Sequence, residues 1–323
     1  MKIPKDAKLF NVVDAAPAKK QINVDRACER RYARADHYLL FRASLAEEEE
    51  LAIARKHFWV LESRAELAAL HHSGYPRCVV VPRYAALPFY KELEEDVLLL
   101  NGKLINTYCE HQYVADLQNW YADLDGYTPR TWFRLEDALA SGHEGPFVLK
   151  GATNSKKHAW RTHMFAETCD DIMRVACNLM DDTFISQQQI YVREFERFES
   201  LGTGVAGLPI TNEWRYFVLD GKIMARGYYW SEHVDRLDDG NDSYNFYQSV
   251  HGADSFVRDE IIPIVQDKIR FWVVDVGRQA VDVGRPEGGL WRVIELNDGQ
   301  MSGLSCVDPD ELYANMAAAL KSR

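Results

Sequence analysis

The sequence has no long apolar run, no paired cysteines and no glycine-rich phosphate loop, and each absence removes a class of protein. No stretch approaches the roughly 20 apolar residues needed to span a bilayer. The opening Met1-Lys-Ile-Pro-Lys-Asp-Ala-Lys carries charge with no apolar segment after it, so no secretory signal is visible and a cytoplasmic location is expected. Cys28, Cys78, Cys109, Cys169, Cys177 and Cys306 are scattered without metal-ligand spacing, so they read as buried or incidental thiols in a reducing compartment. Neither Gly-x-x-x-x-Gly-Lys nor an early Gly-x-Gly-x-x-Gly occurs. Positive charge is also short. With 38 Lys and Arg against 49 Asp and Glu the net charge is −11, which argues against a general nucleic-acid surface.

What is there describes an ordinary globular chain: 323 residues, 47% hydrophobic and 27% charged, enough for a substantial core divided into about two or three lobes. In the first part, helix-prone Asp25–Arg34, Ala43–Lys56 and Ser63–His72 accompany short β-rich runs at His57–Leu61, Arg77–Pro82, Asp96–Leu100 and Lys103–Thr107. Tyr113–Leu124 reads as a helix, and a lobe boundary is expected near Asp125–Pro129. Beyond it, strands are expected at Pro146–Lys150, Gln187–Phe198, Glu213–Leu219 and Lys222–Trp230. Helices are expected at Arg134–Ser141, Asp170–Met180, Arg258–Phe271 and Pro309–Lys321, the last with Asp308 as N-cap. The Asp/Asn/Ser-rich Asp238–Ser249 reads as a loop. Tyr228-Tyr229-Trp230 with His233 can line a pocket or belong to the core, and the core is preferred.

Four segments carry side chains suited to chemistry. Lys150, at a strand end, leads into the small polar loop Ala152–Lys157, whose backbone and lysines suit phosphate; an exposed loop with solubilising lysines is the plain alternative. Ile190–Glu196 can offer backbone groups to a flat heterocycle and a carboxylate to a ribose, or be a half-exposed strand. Arg215 and Arg226, on a strand–turn–strand unit, can grip an anion or pair with local carboxylates. In the last quarter, Ala280–Arg285 and Leu290–Asn297 read as a hairpin across Pro286-Glu287-Gly288-Gly289. Glu295 and Asn297 then share a face. With Arg285 opposite Leu290, Asp282 faces Val293 and lies diagonally beside Glu295 on that same face. Two carboxylates at roughly 4 Å repel by about 4 kcal/mol in a near-surface dielectric. A hard divalent cation removes that repulsion, and an all-oxygen set suits magnesium. Asp-Val-Gly-Arg occurs at both Asp275–Arg278 and Asp282–Arg285; Asp282 is the preferred ligand, and a bulge would reverse the choice to Asp275.

The order of these pieces resembles the ATP-grasp superfamily, and within it the RimK-like carboxylate–amine ligases. The likeness runs from Thr128-Pro-Arg-Thr131 to the C-terminus and includes the step of thirteen residues from Asp282 to Glu295. The resemblance implies an α/β (α+β) protein with an ATP-grasp fold: an N-terminal α/β lobe, residues 1–127, followed by residues 128–323 as two α+β subdomains that clamp the nucleotide. It implies that Lys150 contacts phosphates, with Ser155, Lys156 and Lys157 in the covering loop. Arg193, Glu194 and Phe195 would flank adenine, with Glu196 or Glu199 near ribose. Asp282, Glu295 and Asn297 would hold magnesium, and Arg215 and Arg226 would face the transferring phosphate. The expected function is an ATP- and magnesium-dependent ligase joining a carboxylate to an amine through an acyl-phosphate, on a small molecule, amino acid or peptide. A phosphotransferase and a non-catalytic nucleotide-binding protein are the alternatives. The covering loop is richer in Lys and poorer in Gly than usual for the family, and Arg193-Glu194 replaces a more apolar linker.

Overall fold

The structure, a computed structural model, describes residues 37–41, 48–72, 78–83, 89–99, 102–231, 242–280 and 289–321, with side chains left aside at 69–72 and 242–248. The described residues fall within one compact unit, 35–323. The expected helix at Asp25–Arg34, the proposed ligand Asp282 and His233 lie outside them.

The first lobe alternates strands and helices: β1 (His37–Phe41), α1 (Glu48–His57), β2 (Trp59–Leu61), α2 (Arg64–His72), β3 (Val79–Arg83), α3 (Tyr90–Leu99) and β4 (Lys103–Leu104). Its strands pair in parallel in the order β2-β1-β3-β4. The β-branched run Val79-Val80-Val81 suits a strand covered on both faces. Of Asp96–Leu100, expected as a strand, residues 96–99 are instead the end of α3, and Leu100 lies outside the described residues. Tyr90, Leu93 and Val97 bury one helical face there, a period of three to four residues that wins over local β-propensity. The expected Tyr113–Leu124 helix is two short ones, α4 (Tyr108–Ala115), opened by a Thr107–Glu110 capping box, and α5 (Leu117–Trp120), capped by Asp116.

A second sheet follows, from β5 (Thr131–Trp132), α6 (Leu135–Leu139), β6 (Phe147–Gly151), β7 (Phe165–Ala166), α7 (Ile172–Met180) and β8 (Ile190–Glu194). Its order is β5-β8-β6-β7, all antiparallel. Ile172, Val175, Ala176 and Leu179 form the stripe that seats α7 on Phe147, Leu149 and Val192.

The third sheet carries most of the core. After a small hairpin, β9 (Ser200–Thr203) and β10 (Pro209–Thr211), come β11 (Glu213–Leu219), β12 (Lys222–Tyr228), α8 (Asp242–Phe256), α9 (Ile262–Val265), β13 (Phe271–Arg278), β14 (Trp291–Asp298) and α10 (Pro309–Lys321). A π-turn at Val257–Ile261 joins α8 to α9. The strand order is β12-β11-β13-β14, antiparallel throughout. One face, with Trp214, Tyr216, Val218, Trp272, Val274, Val276, Val293 and Leu296, packs on the α8–α9 helix. At one end of the other face, Phe217, Leu219, Phe271 and Val273 meet α10 and the first lobe through Leu312, Tyr313, Met316, Leu39 and Phe41. At the other end that face carries Glu213, Arg215, Asp275 and Glu295 instead of hydrocarbon.

Two expectations are corrected here. The run at 238–249 is helical from Asp242 onward and the helix ends at Val265, while Phe271 opens a strand. The partner of β14 is Phe271–Arg278, not Ala280–Arg285: Gln279 and Ala280 lie past the strand's end, and Val293 pairs with Val276. The pairing jumps from Asp275–Glu295 to Val276–Val293 and skips Ile294, a bulge that resets the alternation of faces.

Candidate functional site

Between the second and third sheets lies a half-open cleft. Its apolar wall is built from Val148, Trp160, Met164, Phe195, Leu208 and Ile294, and its polar end from Lys150, Lys157, Arg193, Glu213 and Glu295. A slot with hydrocarbon on most sides and charge at one end suits a flat ring carrying an anionic tail.

Strand alternation delivers the charged end. Arg215 pairs with Asp275 across β11 and β13, and Asp275 with Glu295 across β13 and β14, so all three point to one face, with Glu213 two residues before Arg215. Asn297 lies two residues past Glu295, opposite Val273, on that face as well. Opposite them, β6 delivers a buried Lys150, whose Nζ donates to Glu295. The Arg215 guanidinium donates to both oxygens of Asp275 at 2.8 Å and to the Gly303 carbonyl at 2.8 Å, with its flat face 4.8 Å from the Tyr229 ring centre. Lys157 donates to the Tyr229 hydroxyl at 2.6 Å and stands 4.2 Å above the Tyr229 ring and 5.0 Å from that of Trp230. Arg193 crosses from β8 to the third sheet, donating to the Ile294 carbonyl and Thr128 Oγ1 at 2.7 Å each, while its buried Nε has no partner.

These charges perturb one another. Burial pushes the Glu213 carboxyl up to about 7 against the pull of Lys157 and Arg215. Its Oε1 is buried without a partner and its Oε2 accepts only a long 3.3 Å bond from Thr211. Burial would raise Glu295 too, but the Lys150, Lys157 and Arg193 charges outweigh it and hold the carboxyl at about 2. Burial draws Arg193 down to about 10 despite Glu295 and Glu196. Burial also works against Lys157, yet Tyr229, Glu213 and Glu295 raise its pKa.

The residues expected from sequence divide as follows. Lys150, Ser155, Lys157, Arg193, Glu194, Phe195, Glu196 and Glu295 line the cleft. Phe195 takes its place by donating its backbone N–H to Pro146, and its ring meets Phe165 edge-on. Lys156 points elsewhere, paired with Asp182 after α7. Glu196 has both oxygens held, by the Arg292 fork and Gln279, whereas Glu199 receives Asn212 and Arg278 on one oxygen, Oε2. Arg226 is on the wrong face: it lies opposite Tyr216, one position out of step with Arg215, and its Nε donates to Asp254 of α8 at 2.6 Å. The residue that faces Glu295 is Asp275. Glu213 is not among the residues expected from sequence; its place two residues before Arg215 on the strand is the signal that points to it. Of the aromatic cluster expected in the core, Tyr228 is buried there, while Tyr229 stands against Arg215 and Lys157.

Could these side chains hold a divalent cation? Among the described residues no cluster of three or more His, Cys, Asp or Glu forms, so the donors are two carboxylates, Asp275 and Glu295, with the Asn297 carboxamide. That hard, all-oxygen set fits magnesium.

The profile of the ATP-grasp domain, R2K clade family 3, matches residues 140–316. The chain belongs to this ATP-grasp family. Its fold is the ATP-grasp fold, shared with a structure of the ATP-grasp ligase PsnB complexed with precursor peptide PsnA2 and AMPPNP, at 12% identity and TM-score 0.52, covering 89% of this chain and 99% of that one. PsnB complexed with minimal precursor, Mg and ADP aligns at 14% identity and TM-score 0.51, over 89% and 97% of the two chains. A RimK domain ATP-grasp protein from Sphaerobacter thermophilus DSM 20745 aligns at 16% identity and TM-score 0.46, over 87% and 98%. No curated protein matches the sequence. The ATP-grasp neighbours include ligases, and no described helix is long and apolar enough to cross a membrane.

Proposed function

We propose that this R2K ATP-grasp protein is an ATP- and magnesium-dependent ligase that joins a carboxylate to an amine through an acyl-phosphate. The observation that carries the reading is the meeting of Lys150, Lys157 and Arg193 with Glu295 at one end of an apolar slot, with Arg215, Asp275 and Asn297 on the sheet face that bears Glu295. Residues 128–323 would form the nucleotide-binding part. Adenine would lie against Val148, Trp160, Met164, Phe195 and Leu208. With both oxygens of Glu196 committed to Arg292 and Gln279, the unpartnered Oε1 of Glu213 is an acceptor suited to a ribose hydroxyl. Lys150 and Lys157 would neutralise the phosphates, with Ser155 in the loop above them. Asp275, Glu295 and Asn297 would hold magnesium, which supplies charge neutralisation on the phosphoryl oxygens.

A bound carboxylate oxygen would attack the γ-phosphorus, ADP would leave, and an amine would then displace phosphate from the acyl carbon. No protein nucleophile is needed, so catalysis rests on positioning and on fixed cations around developing charge. Arg215, locked by Asp275, Gly303 and Tyr229, is preorganised for that role. A peptide carboxylate is among the substrates to screen, given the precursor peptide bound to the structural neighbour PsnB.

Calorimetry tests the reading. ATP should bind the intact chain more tightly with magnesium than with a chelator, and Glu295→Ala and Asp275→Asn should each abolish the magnesium-dependent part with the fold intact. Equal binding by both variants removes the metal site; absence of ATP binding removes the whole proposal. ADP release that needs a carboxylate but no amine would favour a phosphotransferase.

A further inference from the structure

The sheet face that carries the charged residues turns to hydrocarbon within one step along β11, from Arg215 to Phe217. A second arginine stands on that border. Arg83 is the last residue of β3, at the carboxyl end of the first lobe's parallel sheet, where such sheets present functional groups. It is buried, with its guanidinium 5.6 Å from the centre of the Phe217 ring. Its Nη2 donates to Glu50 at 2.9 Å and its Nε to the Tyr313 hydroxyl at 3.1 Å. Its Nη1 donates to the carbonyls of Gly299 and Ser302. The next carbonyl along the chain, that of Gly303, accepts from Arg215 at 2.8 Å. Two arginines from different lobes therefore hold consecutive carbonyls of one turn, which starts directly after Asn297. Inside the turn, the Ser302 hydroxyl donates to the Asp298 carbonyl and the Gln300 N–H to the Asp298 carboxylate, at 2.8 Å each, so it is tied to the end of β14.

Packing alone does not call for an arginine at this place. A methionine would lie against Phe217 and Tyr313, and a buried ion pair contributes little net stability over hydrocarbon of similar size. What hydrocarbon lacks is a rigid fork that fixes two carbonyls at once. We infer that Arg83 is a positioning residue for Arg215: it fixes the 299–303 turn, whose last carbonyl sets the Arg215 guanidinium between Asp275 and Tyr229. This deepens the ligase reading above and rests on its placement of Arg215 at the transferring phosphate. The first lobe thereby governs phosphate chemistry without touching the nucleotide. The effect can be large, since a misplacement of roughly 1 Å can cost on the order of a hundredfold in rate.

The γ-phosphate reports the effect, because AMPPNP carries it and ADP does not. Calorimetry with magnesium would measure both nucleotides on the full chain as wild type, Arg83→Met, Glu50→Gln and Arg215→Met, each variant checked by its thermal transition. Wild type should bind AMPPNP at least tenfold more tightly than ADP. Arg83→Met should lose at least fivefold of that preference, as Arg215→Met does, while its affinity for ADP stays within twofold. Glu50→Gln loosens the anchor on the far side of Arg83; it should shift the preference the same way by a smaller factor, and it serves alone if the Arg83 variant does not fold. An unchanged preference in both variants, or equal weakening of ADP and AMPPNP, would make Arg83 a structural residue only and overturn the inference, leaving the nucleotide site standing. Wild type that binds the two nucleotides equally would remove Arg215 from the γ-phosphate and the inference with it. Wild type that binds neither would remove the ligase reading itself.

Discussion

Glu213 shows how much a single side chain's surroundings decide. It is a buried carboxyl (3% exposed) with one oxygen unpartnered, and burial lifts it to about 7 from an ordinary 4.5. A raised acid keeps its proton in the folded chain where the unfolded chain has lost it. Its contribution to stability is thus greatest below about pH 4.5, falls as pH rises toward 7, and is flat above. Glu213→Gln, which cannot ionise, should escape that decline. Its stability relative to wild type should grow between pH 5 and 8, reaching about 3 kcal/mol, as read by denaturant melts at each pH. A difference independent of pH would show that the carboxyl is not titrating there. The same substitution should weaken ATP binding several-fold if Oε1 meets the ribose. Sequence could name Arg215 and Lys150 because charged groups on strands are visible in the chain. It could not reveal that Glu196 is spent on Arg292 or that Glu213 is left with a free oxygen, because partners that distant in sequence are chosen by packing.

For elements, register decides function more than composition does. β11 and β12 form the strand–turn–strand unit expected from Glu213–Arg226, and Arg215 and Arg226 look equivalent in it; pairing sets them on opposite faces. Arg226→Ala should therefore leave ATP affinity unchanged and cost at most about 1 kcal/mol of stability through the part-exposed Asp254 pair, while Arg215→Met should abolish turnover. Parallel calorimetry of the two variants separates them, and a comparable loss in both would contradict the face assignment. The terminal hairpin carries the same lesson. Strict alternation puts Val293 on the face of Glu295, and from there Asp282 becomes the natural second carboxylate. The bulge at Ile294 turns Val293 into the core and leaves Asp275 as the residue opposite Glu295. One extra residue has no signature in a period-two pattern, so the presence of a carboxylate pair was legible and its first member was not. Helices with clean apolar stripes, α7 and α10, were legible because their buried residues recur at the helical period.

Taken whole, the molecule shares one core across residue 128, where the sequence suggests a lobe boundary: Leu39, Phe41, Val81 and Ile105 pack with Phe217, Leu219, Phe271 and Val273 of the third sheet. Arg83, at the end of β3, reaches Glu50 of α1, Tyr313 of α10 and the carbonyls of Gly299 and Ser302 just beyond β14. A fragment of residues 128–323 would expose that apolar face and leave those carbonyls without their donor. It should lack a cooperative thermal transition, whereas residues 35–323 should unfold in one; a sharp transition from the shorter fragment would show that the nucleotide-binding part is autonomous. Mechanically, the cleft is a jaw bolted at its base. Arg193 rivets β8 to the slipped corner of β14 at Ile294, and the Arg292–Glu196 fork doubles the rivet from the opposite side. Sliding of one sheet along the other would shear both. A relative movement of the two sheets that keeps both contacts would have to turn about that corner, and its excursion would be largest at the loop that carries Ser155 and Lys157.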